Sequence, residues 1–71
     1  MERTIRTVLA RATADLSRIN YRTLNADARM QYDTAKRFVN QAQEAVRAKN
    51  LVFAKNLADK AALLAAQLAG R

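Results

Sequence analysis

The chain contains no proline, and its single glycine stands at position 70. Proline breaks helices and glycine frees the backbone for tight turns, so almost the whole length is open to helix. The residues that fill it, chiefly Ala, Leu, Gln, Lys and Arg, are those with the highest helix propensity. With 71 residues there is room for one domain, taken here as residues 1–71. A domain of this size buries only about 60% of the surface its unfolded chain exposes, so its core is small.

Three segments carry apolar residues at helical spacing. In the first, about residues 2–19, Ile5, Leu9, Ala12, Leu16 and Ile19 step by 4, 3, 4 and 3, and Val8 widens the stripe. The second, about 26–48, repeats the rhythm at Ala28, Tyr32, Ala35, Val39, Ala42 and Val46, flanked by Phe38 and Ala45. The third, about 51–69, places Ala54, Leu57, Ala61, Leu64 and Leu68 on one seam, with Phe53 beside it. The breaks fall at Asn20–Asn25 and Lys49–Asn50. Asn25 and Asn50 are placed to cap the helices that follow, Asp27 sits where a helix dipole favours negative charge, and Gly70 ends the third segment. The spacing predicts an all-α, antiparallel three-helix bundle rather than one continuous rod. Alanine-rich seams predict close helix approach. Tyr21, Tyr32, Phe38 and Phe53 read as core rather than as a ligand platform. Arg29, Asp33 and Arg37, spaced i, i+4, suit a solvated face with local ion pairs.

The chemistry available is limited. Cysteine and histidine are both absent, which removes disulfides and the usual zinc ligands. The six acids, Glu2, Asp15, Asp27, Asp33, Glu44 and Asp59, never fall in pairs on an apolar seam where a sheltered acid–base dyad would form. Ser17 is the only serine, and no histidine exists to activate it. No glycine-rich loop cradles a phosphate. These residues predict neither an enzyme nor a cofactor or metal site. No apolar run approaches the roughly 20 residues of a transmembrane helix. The opening, MERTIRTVLARATADL, is interrupted by Arg11 and Asp15 and lacks the apolar core of a secretory signal. Cytoplasm and bacterial periplasm both remain open as compartments.

Two surfaces stand out. Thirteen Lys and Arg against six Asp and Glu give a net charge of +7, which suits nucleic acid, anionic lipid or an acidic partner. Arg11, Arg18 and, if the first helix continues, Arg22 share one stripe, a candidate anion-binding face. Asp15 interrupts it, and no aromatics interleave as in single-strand binders. The second surface lies on the third segment, where residues 61–69 read AALLAAQLA without a charge. There Val52, Leu63 and Ala66 point away from the seam, and a helix apolar on both sides normally has cover on both. They form the candidate partner face.

Residues 38–61, FVNQAQEAVRAKNLVFAKNLADKA, resemble the helical hairpin of a tetratricopeptide repeat. The resemblance places Phe38 at the large aromatic position, Ala42 at the helix crossing, Asn50 and Leu51 at the turn, and Ala54 and Ala61 at the small packing positions. Lys49 stands where the repeat usually has glycine, Ala45 where it has tyrosine, and the closing proline is missing. Only one unit fits, whereas repeat domains need about three, so the resemblance implies the hairpin and not a peptide-binding groove. The stretch from Leu24 to Gly70 is also similar to C-terminal helical domains of uncharacterised bacterial proteins, some of the cell envelope, which implies an accessory bacterial domain. The expected function is a non-enzymatic helical module for protein–protein interaction or oligomerisation. The alternatives are a basic domain that binds nucleic acid or anionic surfaces through its arginines, and a structural or designed scaffold without a specific partner.

Overall fold

A computed structural model describes residues 1–70. Three α-helices, α1 (Glu2–Ser17), α2 (Ala26–Arg47) and α3 (Leu51–Ala69), form an all-α bundle, with one 3-10 turn at Tyr21–Thr23. The bundle runs up, down and up. Glu2 at the start of α1 pairs with Lys49 in the α2–α3 turn. At the other end Ile19 and Leu68 line a common cleft. Helix α3 packs extensively on both of its neighbours, whereas α1 and α2 touch each other only slightly.

This central position widens the buried face of α3 beyond the seam predicted for it. Ala54, Leu57, Ala58, Ala61, Ala65 and Leu68 are buried, while Leu64 is only half-buried at the edge. From α1 the core takes Ile5, Leu9, Ala12 and Leu16. From α2 it takes Ala28, Ala35, Val39, Ala42, Ala45 and Val46. Nine of these sixteen buried residues are alanine, and Ile5 is the only large side chain completely enclosed. Small side chains let helices approach closely, at the lower end of the roughly 8–10 Å range, but each contributes little buried apolar area.

The helix ends differ in instructive ways from the expectations. Helix α1 stops at Ser17 because the Ile19 amide bonds the Leu16 carbonyl at 3.1 Å in a tightened last turn, and Asn20 is extended (φ −87°, ψ 102°). Asn25 caps α2 as predicted, its side-chain oxygen accepting the Ala28 amide at 2.9 Å. Asn50 does not cap α3 with its side chain. Its backbone is used instead: the Asn50 amide donates to the Ala45 carbonyl at 2.9 Å, and the Lys49 amide to Val46 at 3.0 Å. This is the Schellman arrangement, which requires a left-handed residue between α2 and Asn50. Lys49 fills that role with φ 64°. Gly70 follows the last residue of α3, where the helix was expected to end, with a right-handed backbone at φ −81°.

Two aromatics read as core are not in it. Phe53 is 52% exposed and Tyr21 39% exposed, while Tyr32 and Phe38 are half-buried against the core. Phe53 lies about 100° around the helix from Val52, outside the arc that α1 and α2 cover. Tyr21 lies in the connection after α1, where no helix face carries it inward.

Candidate functional site

On α3 the three residues opposite the core are all exposed, Val52 at 68%, Leu63 at 61%, and Ala66 with them. Val52 and Leu63 are eleven residues apart, about 16 Å along the axis. The strip between them carries Asn56 and Asp59, and Asp59 accepts from the Lys55 ammonium at 2.7 Å. The three residues therefore share a face without forming a continuous apolar patch. Phe53 adds an apolar corner beside Val52 at the start of the helix, a contribution missed when it was assigned to the core.

The arginine stripe is shorter than the sequence suggested. Arg11 and Arg18 are exposed and stand two turns apart, about 10 Å. Arg22 does not extend their line, because α1 has ended and the chain has turned at Asn20. The Arg22 carbonyl instead accepts the Arg29 guanidinium at 3.1 Å, which also reaches the Tyr21 carbonyl at 3.2 Å. Asp33 takes the Tyr21 hydroxyl at 3.3 Å. The expected ion pairs among Arg29, Asp33 and Arg37 do not form, since tying down the α1–α2 connection occupies Arg29 and Asp33. The Tyr21 and Tyr32 rings meet edge to face at 5.1 Å, with Arg29 over the first and Lys36 over the second. Desolvation in this cluster, then the charge and hydrogen bond of Asp33, raise the Tyr21 hydroxyl above its ordinary 10.0. Arg29 opposes them.

The ion pairs that do form lie elsewhere. Arg6 and Lys49 share Glu2, each at 3.6 Å, and Arg47 holds Glu44 at 3.1 Å. Among the described residues Arg3, Arg11 and Arg18 form none of the ion pairs.

A third surface was not anticipated. Because α1 and α2 both lean on α3 and barely meet, a groove of about 650 Å³ opens between them. Its floor is the edge of the core, Leu9 and Val46. Ala10, Thr13, Ala14 and Ser17 form the α1 wall, and Gln43 belongs to the α2 wall. Arg6 and Arg47 stand together at the end nearest the α2–α3 turn. The signal was present as a stripe of small residues at 10, 13, 14 and 17, which reads in isolation as a solvated helix side. Among the described residues no three His, Cys, Asp or Glu are grouped to hold a metal ion, and no helix is long and apolar enough to cross a membrane. No family model, curated protein or solved structure matches this chain.

Proposed function

We propose that this chain is a non-enzymatic helical module for protein–protein contact, acting through the outer face of α3 as a homo-oligomer or as the adaptor end of a larger assembly. The observation that carries the reading is the two-sided apolar character of α3. Its inner arc builds the core, while Val52, Phe53 and Leu63 each leave more than half of their surface in water. Single exposed apolar residues are ordinary, but this helix of so small a domain carries two apolar spots on its outer side, Val52 with Phe53 at its start and Leu63 three turns on. The likeness of residues 38–61 to a tetratricopeptide hairpin belongs to the same proposal. It is supported by the complete burial of Ala42, Ala54 and Ala61.

Sedimentation of the wild-type chain beside Leu63→Glu tests the oligomer. The wild type is expected above monomer mass and the variant at it, and monomers in both remove that version. A second reading, binding of nucleic acid or an anionic surface, is favoured by the exposed Arg11 and Arg18, which take part in none of the ion pairs among the described residues. It predicts retention on RNA that falls steeply with salt and is lost in Arg11→Glu/Arg18→Glu.

A further inference from the structure

From the groove between α1 and α2 we infer a second docking surface, one that takes an acidic amphipathic helix of a partner protein. It extends the interaction-module reading to a face distinct from Val52 and Leu63. Three helices packed so that α3 contacts both neighbours leave one position of a four-helix arrangement empty, and the groove is that position. Its α1 wall runs from Arg6 to Ser17, about 16 Å or three helical turns, and α2 closes the other side over the turn from Gln43 to Arg47. The α1 wall is built of small side chains, so an incoming helix can approach closely and pack its own larger apolar residues against the exposed Ala10, Thr13 and Ala14, above the already buried Leu9 and Val46. An extended peptide has no strand edge here to pair with, since all the surrounding backbone is helical.

Charge selects the occupant. No carboxylate lines the groove, and two guanidiniums stand at one end of it. Both have local partners, Glu2 and Glu44, but these are exposed pairs on the solvent side, with Arg6 and Arg47 side chains 67% and 75% exposed. Such pairs hold their partners weakly. Each guanidinium has five donors and keeps most of them for an incoming carboxylate. A second copy of this chain is a poor occupant. Each of its own helices carries one more cation than anion, three against two in α1, four against three in α2 and two against one in α3. It has no acidic helix to offer.

The test uses the full chain and labelled synthetic helical peptides of about fourteen residues, read by fluorescence anisotropy. One carries a Leu stripe at i, i+3, i+7 flanked by Glu. The second has Lys in place of Glu, and the third has the first composition with the stripe scrambled. The Glu peptide is expected to bind about tenfold or more tighter than the Lys peptide, the effect of one or two charge pairs. Arg6→Glu/Arg47→Glu should invert that preference. Ala10→Phe should weaken binding about tenfold by filling the groove, and Leu63→Glu should leave it unchanged. All these positions are exposed, so the variants keep the fold, checked by circular dichroism. Equal binding of the Glu and scrambled peptides would reduce the attraction to net charge and overturn the proposal. So would a preference that survives the double charge reversal, or no binding of any peptide. A loss in Leu63→Glu alone would return the contact to α3 and likewise end the groove assignment.

Discussion

Lys49 occupies a left-handed position that the α2–α3 turn requires, and replacing it with glycine should stabilise the protein. A left-handed backbone costs an L-residue about 1–2 kcal/mol through crowding of its Cβ. Glycine escapes that cost but adds freedom to the unfolded chain worth about 0.4–1 kcal/mol. The net gain is about 0.5–1 kcal/mol. The substitution also removes the Lys49–Glu2 pair, 3.6 Å long with the lysine side chain 78% exposed. Such a pair contributes about 0.2–1 kcal/mol, and less as salt rises, so the comparison with the wild type belongs in high salt. Lys49→Ala is the decisive control, since alanine loses the same pair while keeping a Cβ. Unfolding entropy of about 2.1 cal/mol/K per residue gives this chain about 0.15 kcal/mol/K, so the gain corresponds to about 3–7 °C. In thermal melts followed by circular dichroism, Lys49→Gly should melt that far above Lys49→Ala. It should also exceed the wild type by a few degrees in about 1 M salt, where charges are screened beyond about 3 Å. A glycine variant that melts at or below the alanine variant would refute the argument, because only the backbone separates the two.

Two other outcomes follow from the packing and the tyrosine cluster. Ile5→Ala removes three buried carbons, about 2.4 kcal/mol of transfer energy, and the cavity raises the cost to about 3–4 kcal/mol. Against a total of about 4–10 kcal/mol for a chain this size, urea unfolding should show a large fall in midpoint, and a loss under about 1 kcal/mol would mean that Ile5 is not sealed in the core. In a Tyr32→Phe background, absorbance titration should place Tyr21 ionisation above 10.0, and Asp33→Asn should bring it down. Since the folded pKa is the higher one, the neutral hydroxyl's contribution is complete below the unfolded value near 10 and fades as pH rises through the folded value. A midpoint unmoved by Asp33→Asn rejects the contact.

Helix number, order and most boundaries were legible because each helix writes its own burial into the 3.6-residue period. Asn25 was legible too, since an N-cap depends only on its nearest neighbours. The chain was less readable wherever a feature belongs to the relation between helices. Ala58 and Ala65 enter the core in place of Leu64 because α3 faces two partners, and a single-helix period cannot count partners. Lys49 is left-handed because the hairpin must reverse there. Arg22 fell off its stripe because the extended backbone at Asn20 reset the phase. The α1–α2 groove is a lateral spacing, and small residues at 10, 13, 14 and 17 announce it only once the third helix is known to hold both walls apart. The outer residues Val52, Leu63 and Ala66 were placed correctly as exposed, but the polar pair Lys55–Asp59 between them required side-chain geometry to see.

The alanines at the heart of the bundle invert the customary map of mutational latitude. In most cores the bulky residues are the ones that cannot change, and small ones leave slack around them. Here Ala42, Ala54, Ala58, Ala61 and Ala65 have no exposed surface at all, and the distance between helix axes is set by how little lies between them. Even one added methylene at these sites must push whole helices apart, because packed interiors have almost no free volume to absorb it. Drift in such a protein is channelled to its large outward-facing residues, and so to the surfaces through which it meets other molecules.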